Sequence, residues 1–231
     1  MMLNFIKRVR EVNLKYSSLS GVVNINSVRQ PIQFESSLER DFIYLLEFDR
    51  EIKQYLEQPL EICYSDDLGK DRRYIPDFIV SYYSRQTEII EIKYESTLID
   101  KKDELKFKFS AATEYCNKQG FLFKIITNKY IREERGIELQ NSIFLSRYKC
   151  FFDNMEKNRI AHSSLSMNLI LLSQMMRKLG EVSVRELVCK STQDEHKRAE
   201  LIFLTWYMVA SNLLYVNMME KLTLDSLVCL G

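Results

Sequence analysis

Glycine and proline are scarce. With 6 Gly and 3 Pro in 231 residues, the chain has little material for long flexible linkers and none for a collagen-like repeat. Excess charge is missing too: 33 basic residues face 32 acidic ones, a net +1. A chain that holds nucleic acid unaided is usually visibly basic, so this balance argues against an autonomous DNA-binding protein. Any DNA it handles must meet a local basic patch or be delivered by a partner. The five cysteines (Cys63, Cys116, Cys150, Cys189 and Cys229) are odd in number and form no C-x-x-C pair. That excludes an obvious zinc site and argues against a disulfide frame. Histidine is limited to His162 and His196, far along the chain from the acidic motifs described below, and neither is assigned a ligand or general-base role. The most apolar stretch, residues 201–216, is interrupted by Thr205, Ser211 and Asn212 and falls short of the ~20 residues of a membrane span. The start of the chain lacks the apolar core of a signal peptide. These absences give the expectation of a soluble, cytoplasmic protein with no membrane partner.

What is present is a globular composition with a change of character along the chain. Hydrophobic residues make up 46%, enough for one large domain or for a core plus an appendage. Residues 1–30 read as an irregular arm or an edge strand. Ser36 is a candidate N-cap, and Leu38, Phe42, Leu45 and Leu46 follow at helical spacing. Leu60–Tyr64 alternates like a strand, as do Arg73–Val80 and Glu88–Lys93, which Ser84–Thr87 joins as a turn. A long helix is expected over residues 100–118 with Gly120 at its C-cap. Phe121–Thr127 is nearly continuous in apolar residues, the pattern of a strand buried on both faces. Beyond residue 142 the reading is helical: 143–157, 164–179, 183–190 capped by Ser183, and 194–210, then a short strand at 211–216. The expected division is therefore an α/β unit over 1–142 and a helical, winged-helix-like unit over 143–231.

The chemistry lies at Pro76-Asp77 and Glu91-Ile92-Lys93, separated by thirteen residues and placed on the two strands of the expected hairpin. Residues two apart on a strand face the same side, so Glu91 and Lys93 project together and the hairpin can bring Asp77 beside them. Carboxylates and an ammonium are costly to desolvate on one sheet face. Such a cluster is explained if a divalent cation bridges the acids while the lysine meets an anionic substrate or a water. Each piece has a plainer reading: Asp77 as a solvent-facing residue beside an edge proline, and E-x-K as the wet side of an amphipathic strand. Together they form the signature of the PD-(D/E)-x-K nuclease fold. Glu39 stands in a capping-box pattern, Ser36-Ser37-Leu38-Glu39, and local chemistry favours the cap, with Glu39 reaching back to the Ser36 amide. Gln58-Pro59 reads as a turn. Lys101, Lys102, Lys106 and Lys108 are either a solvated helix face or contacts to a phosphate backbone.

These segments resemble a known family. Phe34–Asp41, Leu46–Asp49, Glu57-Gln58-Pro59, Tyr74–Phe78, Glu91-Ile92-Lys93 and Phe123–Thr127 are similar, in order over roughly residues 30–130, to the catalytic domain of TnsA, the endonuclease subunit of heteromeric cut-and-paste DNA transposases. The resemblance implies a restriction-endonuclease-like mixed sheet flanked by helices, followed by a C-terminal helical domain. It implies that Glu39, Asp77, Glu91 and Lys93 are catalytic. Glu39, Asp77, Glu91 and the Ile92 carbonyl would hold Mg²⁺, with Mn²⁺ as a substitute. Gln58, Lys102 and Lys106 are expected to contact substrate. It further implies cleavage of the 5′ strands at transposon ends, alongside a TnsB-like transposase subunit and a TnsC-like AAA+ ATPase that meets the C-terminal domain. A stand-alone restriction- or repair-type nuclease and a non-catalytic adaptor in a transposition complex are the alternatives.

Overall fold

A computed structural model describes residues 8–10, 19–24, 31–149, 151–152 and 163–231. Among them, one compact unit comprises the residues before Asn24 together with Pro31–Gly136, and a second comprises Asn24 and Ile137–Gly231.

The first unit is built on a four-stranded mixed sheet. Strands β1 (Gly21–Val23) and β2 (Ile32–Phe34) form an antiparallel pair, so the arm contains a short ribbon; the expected strand's last residue, Ile25, lies outside the described residues. Helix α1 (Ser37–Phe48) follows with Ser36 as its N-cap. The sheet has the order β3-β6-β7-β8, with β3 Ile52–Glu57, β6 Phe78–Tyr82, β7 Glu88–Lys93 and β8 Leu122–Thr127. Its first two pairings are antiparallel and β7/β8 is parallel. Parallel neighbours require a crossover, supplied by α2 (Glu95–Asp100) and α3 (Lys102–Gln119). Gly120 closes α3 with φ 72°, a left-handed conformation that glycine adopts without a Cβ clash.

The two faces of the sheet are covered differently. On one, Phe42 of α1 packs edge-on against Phe78 with ring centroids 5.6 Å apart. On the other, Ile79 and Ile89 form a buried cluster with Cys116 of α3. Strand alternation therefore puts Glu91 and Lys93, in step with Ile89, on the α3 side.

Two expectations need correction, and one strand had none. Arg73–Val80 is not one strand: β5 (Asp71–Tyr74) pairs with β4 (Ile62–Ser65) in a separate ribbon, and the chain breaks at Ile75-Pro76-Asp77 before β6 begins. Pro76 has no N–H to give a ladder, so pairing stops there. Strand β8 is not buried on both faces; it is an edge strand with Leu122 44% and Ile125 37% exposed. Leu122 and Ile125 fall on opposite faces by strand alternation, so neither face of this edge strand is fully covered. Strand β3 has no counterpart in the sequence reading, because Ile-Lys-Gln-Tyr-Leu-Glu lacks an unbroken apolar run.

The second unit contains α4 (Gly136–Lys149), α5 (Ser163–Leu179), β9 (Val182–Ser183), α6 (Val184–Ser191), α7 (Glu195–Ala210), β10 (Leu214–Val216) and β11 (Leu227–Leu230). The sheet order is β10-β11-β9, and α5, β9, α6, α7, β10 and β11 follow one another as helix, strand, two helices and two strands, in keeping with the winged-helix-like outline expected. Ser183 caps α6 as expected, its hydroxyl accepting from the Glu186 amide at 3.1 Å. Buried Asn141 of α4 donates to the carbonyls of Met218 and Glu220 and accepts from the Leu222 amide, tying down the loop between β10 and β11. The expected first helix begins earlier, at Gly136, and residues 153–157 of that expectation lie outside the described ones, as do His162 and Cys150. His196 is exposed in the first turn of α7. Cys63, Cys116, Cys189 and Cys229 are free thiols. Among the described residues no helix is long and apolar enough to cross a membrane.

Candidate active site

Asp77 sits where β6 has not yet begun, and its side chain does the work of the missing ladder. One carboxylate oxygen accepts from the Ile92 amide at 2.6 Å, and the Asp77 carbonyl accepts from the Gln58 amide at 2.9 Å. Asp77 is thus pinned between β7 and the end of β3. The β6/β7 pairing ends at Phe78 and Ile90, and beyond it the Ile92 N–H donates to this carboxylate instead of to a backbone carbonyl of β6.

Lys93 gathers the oxygens around it. Its Nζ lies 2.7 Å from Glu91 Oε1, 3.0 Å from the Ile92 carbonyl and 3.9 Å from Asp77 Oδ2. Glu91 is 1% exposed by side chain, and both its oxygens are engaged. Oε1 also accepts from Lys108 Nζ at 2.6 Å, and Oε2 accepts from the Tyr74 hydroxyl at 2.6 Å. Lys108 lies over the Tyr74 ring, 4.1 Å from its centroid, a cation–π arrangement that keeps the ammonium in place.

Glu39 fulfils its capping role. Its amide donates to Ser36 Oγ at 3.1 Å, and its carboxylate accepts from Ser36 Oγ at 2.9 Å and from the Glu35 amide at 2.8 Å. The amide reached is that of Glu35, one residue before the one the simple capping box specifies. Glu39 is also electrostatically part of the cluster. Burial raises its carboxyl above the usual range; the Ser36 hydrogen bond and Lys93 pull it down, and Glu91 pushes it up.

The same mutual influence marks the other groups. Burial, then the Glu91 charge, pushes the Asp77 carboxyl up to about 8, with Glu39 adding to the rise and Lys93 and the Ile92 amide opposing it. Burial works against ionised Glu91 as well, but the ammoniums of Lys93 and Lys108 outweigh it and hold the carboxyl below its usual value. Burial would lower Lys93, yet Asp77, Glu91 and Glu39 together raise it. Three carboxylates and the Lys93 ammonium therefore act on one another at a single place, with Lys108 acting on Glu91 as well.

The donor set suits a hard divalent cation in kind: carboxylate and carbonyl oxygens are what magnesium prefers. Asp77, Glu91 and the Ile92 carbonyl already converge on one positive charge, that of Lys93. Asp77 carries a raised carboxyl despite that neighbour, the condition of a buried acid short of positive charge. Among the described residues, however, no three His, Cys, Asp or Glu side chains are grouped to hold a metal as they stand. Glu39 faces its own cap, and Glu91 is saturated by two ammoniums and a phenol. Loading a cation requires at least one of these hydrogen bonds to open.

The remaining expected residues separate. Gln58 is buried with φ 46°, and its side chain bridges Glu35 and Arg10, which also pair as ions. It holds the arm and the Asp77 backbone together. Lys102 and Lys106 are exposed on the outer side of α3; Lys106 lines a cavity with Asp66, Arg72 and Asp103, away from the acids. Lys108 reaches the acids instead. Leu105, Lys108 and Ala112 fall on one helical face, and Leu105 and Ala112 are buried, so spacing alone sets Lys108 apart from its neighbours. Tyr74 had no such signal: only the ribbon β4/β5 places its hydroxyl at Glu91.

A mixed sheet flanked by helices, with Pro-Asp leading one central strand and Glu-x-Lys closing the next, defines this unit as a PD-(D/E)-x-K nuclease fold. Residues 49–128 match the family model of the TnsA-like endonuclease N-terminal domain. The protein is accordingly of the transposase-endonuclease type. The match contains Asp77, Glu91, Lys93 and Lys108 and begins after α1, so it leaves out Glu39. No curated protein matches the chain.

Proposed function

We propose that this protein is the DNA-cleaving subunit of a cut-and-paste transposase, hydrolysing phosphodiesters of the 5′ strands at the transposon ends in a Mg²⁺-dependent reaction. The observation that carries the reading is the convergence of Asp77, Glu91 and the Ile92 carbonyl on Lys93 Nζ, within reach of the Glu39 charge. Asp77, Glu39, Glu91 and the Ile92 carbonyl would hold the cation, for which Mn²⁺ can substitute. Bound there, it would supply an acidified water and positive charge against the phosphate oxygens.

The chain's own residues do the rest. Lys93 sets an ammonium beside Asp77 and Glu91, where it orients a water or offsets charge developing on the attacked phosphate. Tyr74 and Lys108 fix the Glu91 carboxylate, and the Ile92 amide fixes Asp77. Gln58 holds the Asp77 backbone rather than the DNA. The net charge of +1 fits a subunit whose substrate is delivered by a TnsB-like transposase, with a TnsC-like AAA+ ATPase docking on the C-terminal unit.

Reconstituted transposition tests this. Asp77→Ala should abolish nicking of the 5′ strands while leaving folding and complex assembly intact; normal nicking by that variant overturns the reading. A non-catalytic adaptor is the second reading, favoured by the full engagement of Glu39 and Glu91. It forecasts no Mn²⁺ binding that Asp77→Ala removes, measured by calorimetric titration.

A further inference from the structure

A second cluster lies beside the acids. A π-helix, Lys129–Glu134, follows β8 and carries Arg132 against α1. The Arg132 guanidinium donates from Nε to Asp41 Oδ2 at 2.8 Å, from one terminal nitrogen to the Ser37 hydroxyl at 3.0 Å, and from the other to the Tyr94 hydroxyl at 3.5 Å. The two hydroxyls are 3.4 Å apart. Asp41 is 5% exposed, whereas Arg132 and Tyr94 face solvent. Tyr94 directly follows Lys93, and Ser37 is two residues from Glu39.

The charge does not balance within this cluster. Asp41 also accepts from Arg40, at 2.8 Å and 3.2 Å to the same oxygen. One buried carboxylate thus serves two guanidiniums and leaves one positive charge over. Asp41 neutralises at most one of them, and its Oδ2, 2.8 Å from both Nε and one terminal nitrogen, holds Arg132 in a fixed orientation with the terminal nitrogens on the Ser37 and Tyr94 hydroxyls. A pre-oriented guanidinium flanked by two hydroxyls matches the planar, two-oxygen edge of a phosphodiester. An irregular helical turn of this kind is often found at functional sites.

We propose that Arg132, Tyr94 and Ser37 form a cradle for a backbone phosphate of the DNA strand next to the one cleaved. The assignment rests on the nuclease reading above. It gives a nearly neutral chain the local phosphate contact that its composition requires, and it fixes the strand's register relative to Lys93. Contacts of this kind position a duplex without reading its sequence. Opening the mutual hydrogen bonds of Ser37, Tyr94 and Arg132 exposes all three donors to one anion, while the bond to Asp41 stays.

The test uses the full chain and a fluorescein-labelled DNA duplex in EDTA, with affinity measured by anisotropy across a series of salt concentrations. Arg132→Gln should weaken binding about tenfold at low salt and lower the slope of log K against log salt by about one. Arg132→Lys keeps the charge and loses the fork, so it should retain the slope with a smaller loss of affinity. Tyr94→Phe should weaken binding about threefold with the slope unchanged, as expected for loss of one neutral hydrogen bond. A merely structural Arg132 would leave the slope of folded variants where it was. Unchanged affinity and slope in Arg132→Lys, Arg132→Gln and Tyr94→Phe overturn the cradle, and so does an absence of duplex binding by the wild-type chain. Cleavage with Mg²⁺, run in parallel, separates the two ideas. Wild-type binding with the expected slope change but no cleavage in the reconstituted complex removes the nuclease reading alone, and cleavage with an unchanged slope removes the cradle alone.

Discussion

Lys108 Nζ donates to Glu91 Oε1 at 2.6 Å, the same oxygen that Lys93 Nζ approaches at 2.7 Å. Two ammoniums on one buried carboxylate make Glu91 an organiser of positive charge. An unpaired buried carboxylate is expensive, whereas a pair removed together costs much less.

Lys108→Met should therefore lower stability by about 1–3 kcal/mol. Adding Glu91→Gln to it should cost less than the sum of the two single changes. Urea denaturation of the four proteins in the cycle measures the coupling. Strict additivity would show that the contact contributes nothing.

The raised Asp77 carboxyl gives a pH dependence of definite sign. In the folded protein the group takes up its proton near pH 8, whereas unfolded it does so at its ordinary acidic value. Between these limits the folded state binds more protons, so this group makes the metal-free protein less stable as pH rises from about 4 to about 8. Asp77→Asn keeps an oxygen for the Ile92 amide and removes the charge. It should melt above wild type at pH 8, by at least about 3 °C, with the gap closing toward pH 4. A gap independent of pH would contradict the assignment.

Divalent cations should act in the opposite direction to protons at the same group. Mn²⁺ should raise the melting temperature of wild type more at pH 8 than at pH 6, because a protonated Asp77 competes with the ion, and Asp77→Ala should abolish the rise. At ~100 times the dissociation constant the gain is about 2.7 kcal/mol. Thermal scans with and without the ion read this directly.

Glu39 has two roles that substitution can separate. Ser36→Ala removes the cap and should cost about 1 kcal/mol of stability with cleavage retained. Glu39→Gln keeps an acceptor for the Glu35 amide and Ser36 hydroxyl and should hold stability within about 0.5 kcal/mol. It should nevertheless reduce cleavage at least about a hundredfold if the carboxylate is a ligand. Equal cleavage by Glu39→Gln and wild type would leave the cap as its whole role.

Much of this protein was legible as sequence because the signals are local. Ser36 and Ser183 cap helices through hydrogen bonds to residues three positions on, and Gly120 ends α3 because only a left-handed residue fits there. The pairing of Pro76-Asp77 with Glu91-Ile92-Lys93 is a strand-period pattern, and with it came the nuclease fold. Other features left no such trace. Strand β3 alternates weakly, β8 looks like a central strand because its apolar run does not reveal which neighbour is missing, and the break at Pro76 splits what reads as one strand into β5 and β6.

Sequence by itself determined the chemical vocabulary of the site: which acids and which lysine, on which elements, at what spacing. Those choices follow from backbone periodicity and from the proton and charge inventory of each side chain, all encoded within a few residues. Only the tertiary structure decided who meets whom. Lys108 rather than Lys102 or Lys106 faces Glu91, Tyr74 closes the other oxygen, and Arg132 reaches back across 91 positions to Asp41. These contacts depend on how helices and ribbons pack on the sheet, and packing sums many weak apolar terms whose direction no short stretch of chain carries.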